Sequence, residues 1–575
     1  MMAQSIRQQN SRKKICLLST AIILYSAAQG LAYSDVDRPD AGRVLRNTQL
    51  NERTLPREER PQLTAEEQVL RPPLAADAST KVRVENIHVA GQDVYAPSEL
   101  AALFQDKLQQ ELTFAELNQI AAKITRYFKD HGYLVAQAYL PEQKIDQGSV
   151  EIAVVVGRYG DVVLKNSSSV DDAAIRQQLN SLQPGDYINN RDLERAVLLA
   201  GDLAGVAAKI TLYPGKAVGT TDVIVEARNK EGTPQGSLSL NNWGNRFTGS
   251  TQGSLYYHLD NAAHSGDSLS LSLTNAGSGM DSGYAGYRLP LAEGLALNLG
   301  YGKVRYSLGK NYTYLDAHGT AYTNHADLSW NLVRSRKTNV SLQAGYDHKR
   351  LEDLIDISQA VTQKRSHSTS LGLTGDSLDN LWGGGMNSYS LTWYDGSLSL
   401  TWYDGSLSGQ SNLSTPPTGK WQKTAFSLLR RQAVTNRLSA LFSFSGQLAS
   451  TNLDSSEKFS LGGANGVRAY PADEASGDEG WLLNSEAHWT LPVSGSNGVL
   501  ELIGFYDSGV SHIDKNAAIT AGNRRALAAK GLGLSWTVPD QYAVKLNYAW
   551  KAGNAPVASD EDKRGRLWLQ GITYF

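Results

Sequence analysis

The sequence predicts a membrane all-β barrel of about 16 antiparallel strands, preceded by a two-unit α+β module. Three observations carry that prediction: an export signal at the N-terminus, alternating strand and helix patterns up to about residue 230, and a hydrophobic period of two from Gln235 to Phe575. Mean hydropathy is -0.35, and no later run is apolar enough for a spanning helix. A closed barrel is the remaining way to satisfy the backbone in lipid.

A chain of 575 residues exceeds one compact domain, so it must be divided. Lys+Arg 55 nearly balance Asp+Glu 57, and the net charge of -2 gives no field that would favour nucleic acid.

Residues 1–32 read as a secretory signal peptide. Arg7, Arg12, Lys13 and Lys14 precede an apolar run from Ile15 to Ala28, followed by Gly30-Leu31-Ala32. The run is shorter than the roughly 20 residues of a membrane anchor, so cleavage after Ala28 or Ala32 is expected. Cys16, the sole cysteine, lies inside this segment, and the mature chain therefore crosses an oxidising compartment without disulfides.

Residues 33–80 read as a linker broken by Pro56, Pro61, Pro72 and Pro73, with Ala41 to Asn51 as the candidate for a plug helix. Residues 81–157 form the first α+β unit: a strand-like opening at Val82, Val84 and Ile87, then a helix from Pro97 to about Leu108. Thr113 and Glu116 then form a capping box for a second helix bearing Leu117, Ile120, Ala121, Ile124 and Phe128 at helical spacing. Gly132 ends that helix, and strands follow at Leu134 to Leu140 and Val150 to Val156. Residues 158–230 repeat the scheme, with strands at Val162 to Leu164, Ala207 to Tyr213 and Thr221 to Glu226, and helices at Asp172 to Leu182 and Asp192 to Ala200.

Residues 235–575 form the barrel. Leu269, Leu271 and Leu273 alternate with serines, and the same dyad returns at Leu295 to Tyr301, Ala326 to Leu332, Leu438 to Phe444 and Tyr542 to Trp550. A soluble β-sandwich also alternates. The number of such segments, the Tyr and Trp near their ends and the export signal argue for lipid on one face. Ser390 to Leu398 recurs unchanged at Ser399 to Leu407. Its odd period would invert every side chain of a continuous strand, so one copy is expected in a strand and the other in an extended turn.

Two Gly-Asp-Ser-Leu runs, at Gly266 and Gly375, match a hydrolase fingerprint, but both adjoin alternating strand sequence and read better as turns at strand starts. No catalytic residue, metal site or cofactor is predicted.

The informative constellation lies late in the chain: Val467-Arg468-Ala469-Tyr470-Pro471, then Phe505-Tyr506-Asp507-Ser508-Gly509. In the strand Val499 to Gly509, parity puts Leu500, Leu502 and Tyr506 on one face and Glu501, Phe505 and Asp507 on the other. Asp507 therefore faces the lumen, where an arginine on a Gly-flanked loop could meet it.

These motifs resemble those of the two-partner secretion transporters (TpsB), the haemolysin-activator and filamentous-haemagglutinin transporter family. Thr113 through Tyr127, Gly132-Tyr133, Tyr139-Leu140-Pro141 and Val156-Gly157 resemble its first POTRA domain, and Pro214-Gly215 with Gly219-Thr220 the end of its second. Asn242 to Gly249 resembles its first barrel strand. Val467 to Tyr470 resembles its loop motif, with Ala469 where the wider superfamily has glycine, and Phe505, Asp507 and Gly509 the strand motif that the loop contacts. The resemblance implies a monomeric 16-stranded barrel in outer-membrane lipid with two periplasmic POTRA domains that export a large secreted exoprotein client. It makes Tyr127, Tyr133, Tyr139 and Leu140 candidates for client contact. The alternative is an outer-membrane protein assembly factor of the same superfamily, which would carry more POTRA units than the two that fit before Gln235.

Overall fold

The computed structural model describes residues 38–48, 63–65, 81–217, 219–403, 418–493, 497–517 and 520–575. The expected export signal and most of the expected linker lie outside the described residues.

Sixteen antiparallel strands, from Gly236–Asn241 to Gly565–Tyr574, close into a barrel. The first pairs with the last, Ser237 opposite Tyr574 and Asn241 opposite Gln570, which leaves no sheet edge exposed to lipid. The dyads fall as parity requires: Leu271, Leu273, Leu299, Tyr301, Leu328, Trp330, Phe442 and Phe444 all face outward. The opposite parity buries Ser366, Ser368, Asn484 and Asp507 inside.

Short turns on one side of the barrel meet the second α+β unit. Gln178 accepts from the Gly294 amide at 3.0 Å, Arg195 pairs with Glu293 at 3.2 Å, and Arg334 pairs with Asp202 at 2.6 Å. The opposite rim is taller. Ala317–Arg334 and Ala360–Asp379 run 18 and 20 residues, well beyond the roughly 10 needed to cross a bilayer.

The duplicated segment departs from expectation. The strand Gly385–Tyr403 runs through the first copy and into the second, so side chains invert: Leu391 faces outward, while Leu400 sits opposite the buried Lys364. The inversion falls on the part of the strand rising beyond the bilayer, where facing inward carries no lipid penalty. Residues 404–407 of the second copy are outside the described residues. The two Gly-Asp-Ser-Leu runs also part company. Asp267 caps its turn by accepting from the Ala263 amide at 3.0 Å, whereas Asp376 lies within Ala360–Asp379, so only the first run opens a strand.

The first α+β unit stacks the helix Phe114–Asp130 on the three-stranded sheet Asn86–Ala90, Ser149–Val155 and Gln137–Tyr139, in that order. Thr113 caps the helix from both directions with Glu116, and Gly132 leaves it at φ +97°. Two elements are shorter than predicted. The helix from Pro97 ends at Ala101, with a separate 3-10 turn at Gln105–Lys107, and the strand expected from Leu134 spans only Gln137–Tyr139. The strand-like opening divides in two: Lys81–Val84 pairs with Gln110–Thr113, a strand that escaped the sequence reading, while Asn86–Ala90 joins the three-stranded sheet.

The second α+β unit packs Asp172–Gln178 and Asn190–Gly201 on a four-stranded sheet. Its outermost strand comes from the linker: Leu63–Ala65 runs parallel to Val206–Pro214, where no strand was expected. Three residues are too few to show a period.

Candidate functional site

The chain from Ser450 to Asp478 folds back into the barrel. It is pinned at its stem by backbone pairing of Phe459 with Gly477, and at its tip by the Val467-Arg468-Ala469-Tyr470 turn. Val467, Ala469 and Tyr470 are fully buried with Leu461, Ile503 and Phe505. Gly509 is required for the fit, because a Cβ there would lie 2.8 Å from Leu461 Cδ2 and from the Trp481 carbonyl.

Arg468 spends its guanidinium on two carboxylates. Nε and Nη2 donate to the two oxygens of Asp507 at 2.9 and 2.7 Å, and Nη1 meets Glu486 at 2.9 Å. Its Cζ sits 3.5 Å above the centre of the Phe505 ring. Its carbonyl accepts from Trp568 Nε1 at 2.6 Å, on the last strand. Asn484 completes the cage by donating to Asp507 at 2.7 Å and to the Gly466 carbonyl at 2.9 Å. A fork shared between two buried carboxylates on neighbouring strands fixes orientation as well as charge. Glu486, Asn484 and Trp568 escaped the sequence reading. The first two share the inward parity of their strand, which is the signal that could have found them.

A second element shares this lumen. The helix Ala41–Thr48 lies inside the barrel, with Ala41, Val44 and Leu45 buried against Tyr306, Tyr312 and Leu351. The candidate plug therefore stands in the pore over Ala41–Thr48, and residues 49–51 of its predicted span lie outside the described residues. Arg46 pairs with Asp473 and donates to the carbonyls of Ser455 and Lys458 at 2.7 and 3.1 Å, all on the re-entrant loop. At the other end Asp40 accepts from Lys364 at 3.0 Å and from Ser455 at 2.6 Å. A Cβ on Gly42 would crowd Ser455 and lie 2.7 Å from the Ser456 amide, so helix and loop touch backbone to backbone.

The loop is in turn held to the wall. Glu457 receives Lys349 at 2.6 Å and Lys423 at 2.8 Å. Burial pushes its carboxyl up, but the two ammonium groups outweigh this and hold it at about 2. Glu474 accepts from Arg525 at 2.6 Å and from the Ala558 and Ser559 amides at 2.9 Å.

The proposed client residues are placed unequally. Tyr127 and Tyr133 gather around Tyr95, at 5.2 and 6.1 Å between ring centres, and the hydrogen bond from Tyr127 to Glu99 pushes the Tyr127 phenol up to about 12. Tyr139 lies on the edge strand of its sheet. Leu140 is 3% exposed in the domain core and has no surface to offer a client. Among the described residues, Asp316, His318 and Asp356 bring ligand atoms within 4.8 Å at the outer rim, an exposed and mostly acidic group that needs no ion to explain it.

A barrel closed around a loop and a helix, preceded by two α+β units, has a counterpart among known proteins. The family described as haemolysin secretion/activation protein ShlB/FhaC/HecB matches residues 219–536. The chain belongs to this family. The ShlB-type POTRA domain matches residues 82–157. Among relatives, the heme/hemopexin transporter protein HuxB of Haemophilus influenzae is 27% identical over 94% of this chain and 95% of its own. The outer membrane transporter CdiB of Escherichia coli O6:K15:H31 is 24% identical over 79% of this chain and 76% of its own. The solved structure of CdiB from Escherichia coli shares the fold, at 21% identity with TM-score 0.71, covering 88% of this chain and 93% of that one. This transporter accordingly resides in the outer membrane with its POTRA domains in the periplasm, and it serves two-partner secretion by exporting a large secreted partner.

Proposed function

We propose that the pore is kept closed by the helix Ala41–Thr48 docked on the re-entrant loop, and that export requires the helix to leave while Arg468 keeps the loop in place. The observation that carries this reading is the division of contacts. Arg468 ties the loop to the wall through Asp507 and Glu486, whereas Arg46 and Gly42 tie the helix to the loop. The two attachments use different residues and can be released separately.

The client is captured in an extended state at a POTRA sheet edge, through main-chain hydrogen bonds that ask little of its sequence. Gln137–Tyr139 is such an edge, and Tyr139 with the Tyr95, Tyr127 and Tyr133 cluster supplies aromatic contact beside it. Residues 81–157, 158–230 and 235–575 act as intake, relay and pore, and residues 1–32 are removed on export to the periplasm. The chain carries out transport without catalysis, and the client's folding outside the cell biases its direction. Because HuxB aligns over nearly the whole chain, a secreted partner serving haem or hemopexin uptake is the first client to test. Arg468→Ala should abolish client secretion while the barrel remains in the outer membrane at normal level. Secretion at the wild-type rate would refute the role of the clamp.

A further inference from the structure

Cations gather on the outward face of four neighbouring strands, Leu295–Ser307, Ala317–Arg334, Thr338–Ile355 and Ala360–Asp379. Their register stacks the outward residues in rows. Leu297, Leu328, Ala344 and Leu371 form one row, followed by Leu299, Ala326, Tyr346 and Thr369. The next row is Tyr301, Asn324, His348 and His367, and above it come Lys303, Tyr322, Arg350 and Arg365. Arg305 stands one row higher, beside Thr320 and Glu352.

The cations therefore begin eight residues up the strand from Trp330, which faces lipid toward the periplasmic side. That is about the length a tilted strand needs to cross the hydrocarbon, so the row lies at the outer-leaflet headgroups, just above Tyr301 and Tyr346. Arg305, Arg350 and Arg365 are exposed and have no carboxylate partner among the described residues. Two carboxylates border the upper edge of the patch: Glu352, which accepts from Gln363 at 2.7 Å, and Asp281, opposite Arg305 in the register, which accepts from Asn275 at 2.7 Å. Lys303, Arg350 and Arg365 lie in the row below them. Lys303 rests over the Tyr322 ring at 5.0 Å with its ammonium free to reach upward. His348 and His367 line the lower margin, with Nδ1 atoms 3.1 Å apart. A solvent-facing patch would need no aromatic floor, and a lipid-tail-facing one would not hold four cations.

We infer that this patch binds the phosphate groups of the phosphorylated glycolipid in the outer leaflet, with Lys303, Arg350 and Arg365 as the principal contacts. Planar guanidinium forks suit phosphate oxygens, and cations spread over four strands suit a headgroup carrying more than one phosphate. A bound lipid would also brace the tall rim next to the strands that hold Lys349 and Lys364.

The test measures binding of bis-phosphorylated lipid A to the full-length transporter in detergent, with native mass spectrometry and thermal shift as readouts. Dephosphorylated lipid A and inorganic phosphate serve as the other probes. Wild type should bind the phosphorylated lipid, bind the dephosphorylated form far more weakly, and be unaffected by inorganic phosphate. The variant K303Q/R350Q/R365Q should lose on the order of a hundredfold in affinity, and R350K/R365K should retain most of it. Folding is checked by resistance of the barrel to unfolding on unheated gels; if the triple variant does not fold, R350Q alone should still lose affinity measurably. Equal binding of the dephosphorylated lipid, displacement of lipid by inorganic phosphate, or unchanged affinity in whichever folded variant is measured would overturn the assignment.

Discussion

Arg46 of the pore helix ends on Asp473, five residues beyond the Arg468 that locks the same loop to the barrel wall. The helix is thus seated on a loop that is itself fixed, and loosening either attachment has a distinct consequence.

Loosening the upper attachment should open the pore without stopping export. Arg46→Ala removes a partner of Asp473 and the donors to two loop carbonyls, and Gly42→Val drives a branched side chain into Ser455 and Ser456. Both variants should show raised single-channel open probability in planar bilayers and greater sensitivity of cells to large antibiotics. Client secretion should stay near wild type.

Loosening the lower attachment should do the reverse. Removing Arg468 strands Asp507 and Glu486 in a buried site, a loss of about 3–5 kcal/mol for a broken buried pair. Arg468→Lys keeps the charge but has no fork to divide between two carboxylates, so its secretion should be closer to Arg468→Ala than to wild type. Secretion assays normalised to barrel level on unheated gels measure this.

Much of this was legible beforehand. Asp507 could be placed in the lumen because a carboxylate on the same strand as Leu502 and Tyr506, at opposite parity, has nowhere else to go. The Arg468 partnership was suggested by the loop motif. What could not be read was the far side of each contact. Glu486 and Trp568 reach Arg468 from strands set by barrel closure, and Arg46 meets Asp473 across 427 positions of sequence. Local spacing carries no information about such pairs. Leu140 was misjudged for a related reason: it became a client candidate only through the resemblance, and an apolar residue beside Tyr139 shows its burial only once the core beneath the helix Phe114–Asp130 is assembled.

Within the first POTRA domain the two neighbours should separate cleanly. Leu140→Ala empties a core site and should cost about 2–5 kcal/mol of domain stability. Tyr139→Ala should leave stability nearly unchanged and weaken client binding. Urea unfolding together with client-peptide binding on the full chain distinguishes the two.

Acid should release the loop through Glu457. Its carboxyl is held at about 2 against an ordinary 4.5, so it is a group with a depressed pKa. Its stabilisation is complete above pH 4.5 and is lost as pH falls toward 2. Conductance should therefore stay flat from neutral pH down to about 4.5 and rise below it, and Glu457→Gln should abolish that rise.

The most direct test of the gate is a covalent one. A Cβ on Gly42 lies against Ser455 Oγ, the atom that the sulfur of a cysteine at 455 would replace, which places the two side chains within reach of a disulfide. Cys16 is the sole native cysteine, and the variant is made in a Cys16→Ser background so that no other thiol competes. In the double variant Gly42→Cys/Ser455→Cys, client secretion is measured under oxidising conditions and again after reductant, beside each single variant. The account predicts a block that reductant reverses, with both single variants competent. Secretion at the wild-type rate with the disulfide shown to be formed would contradict it.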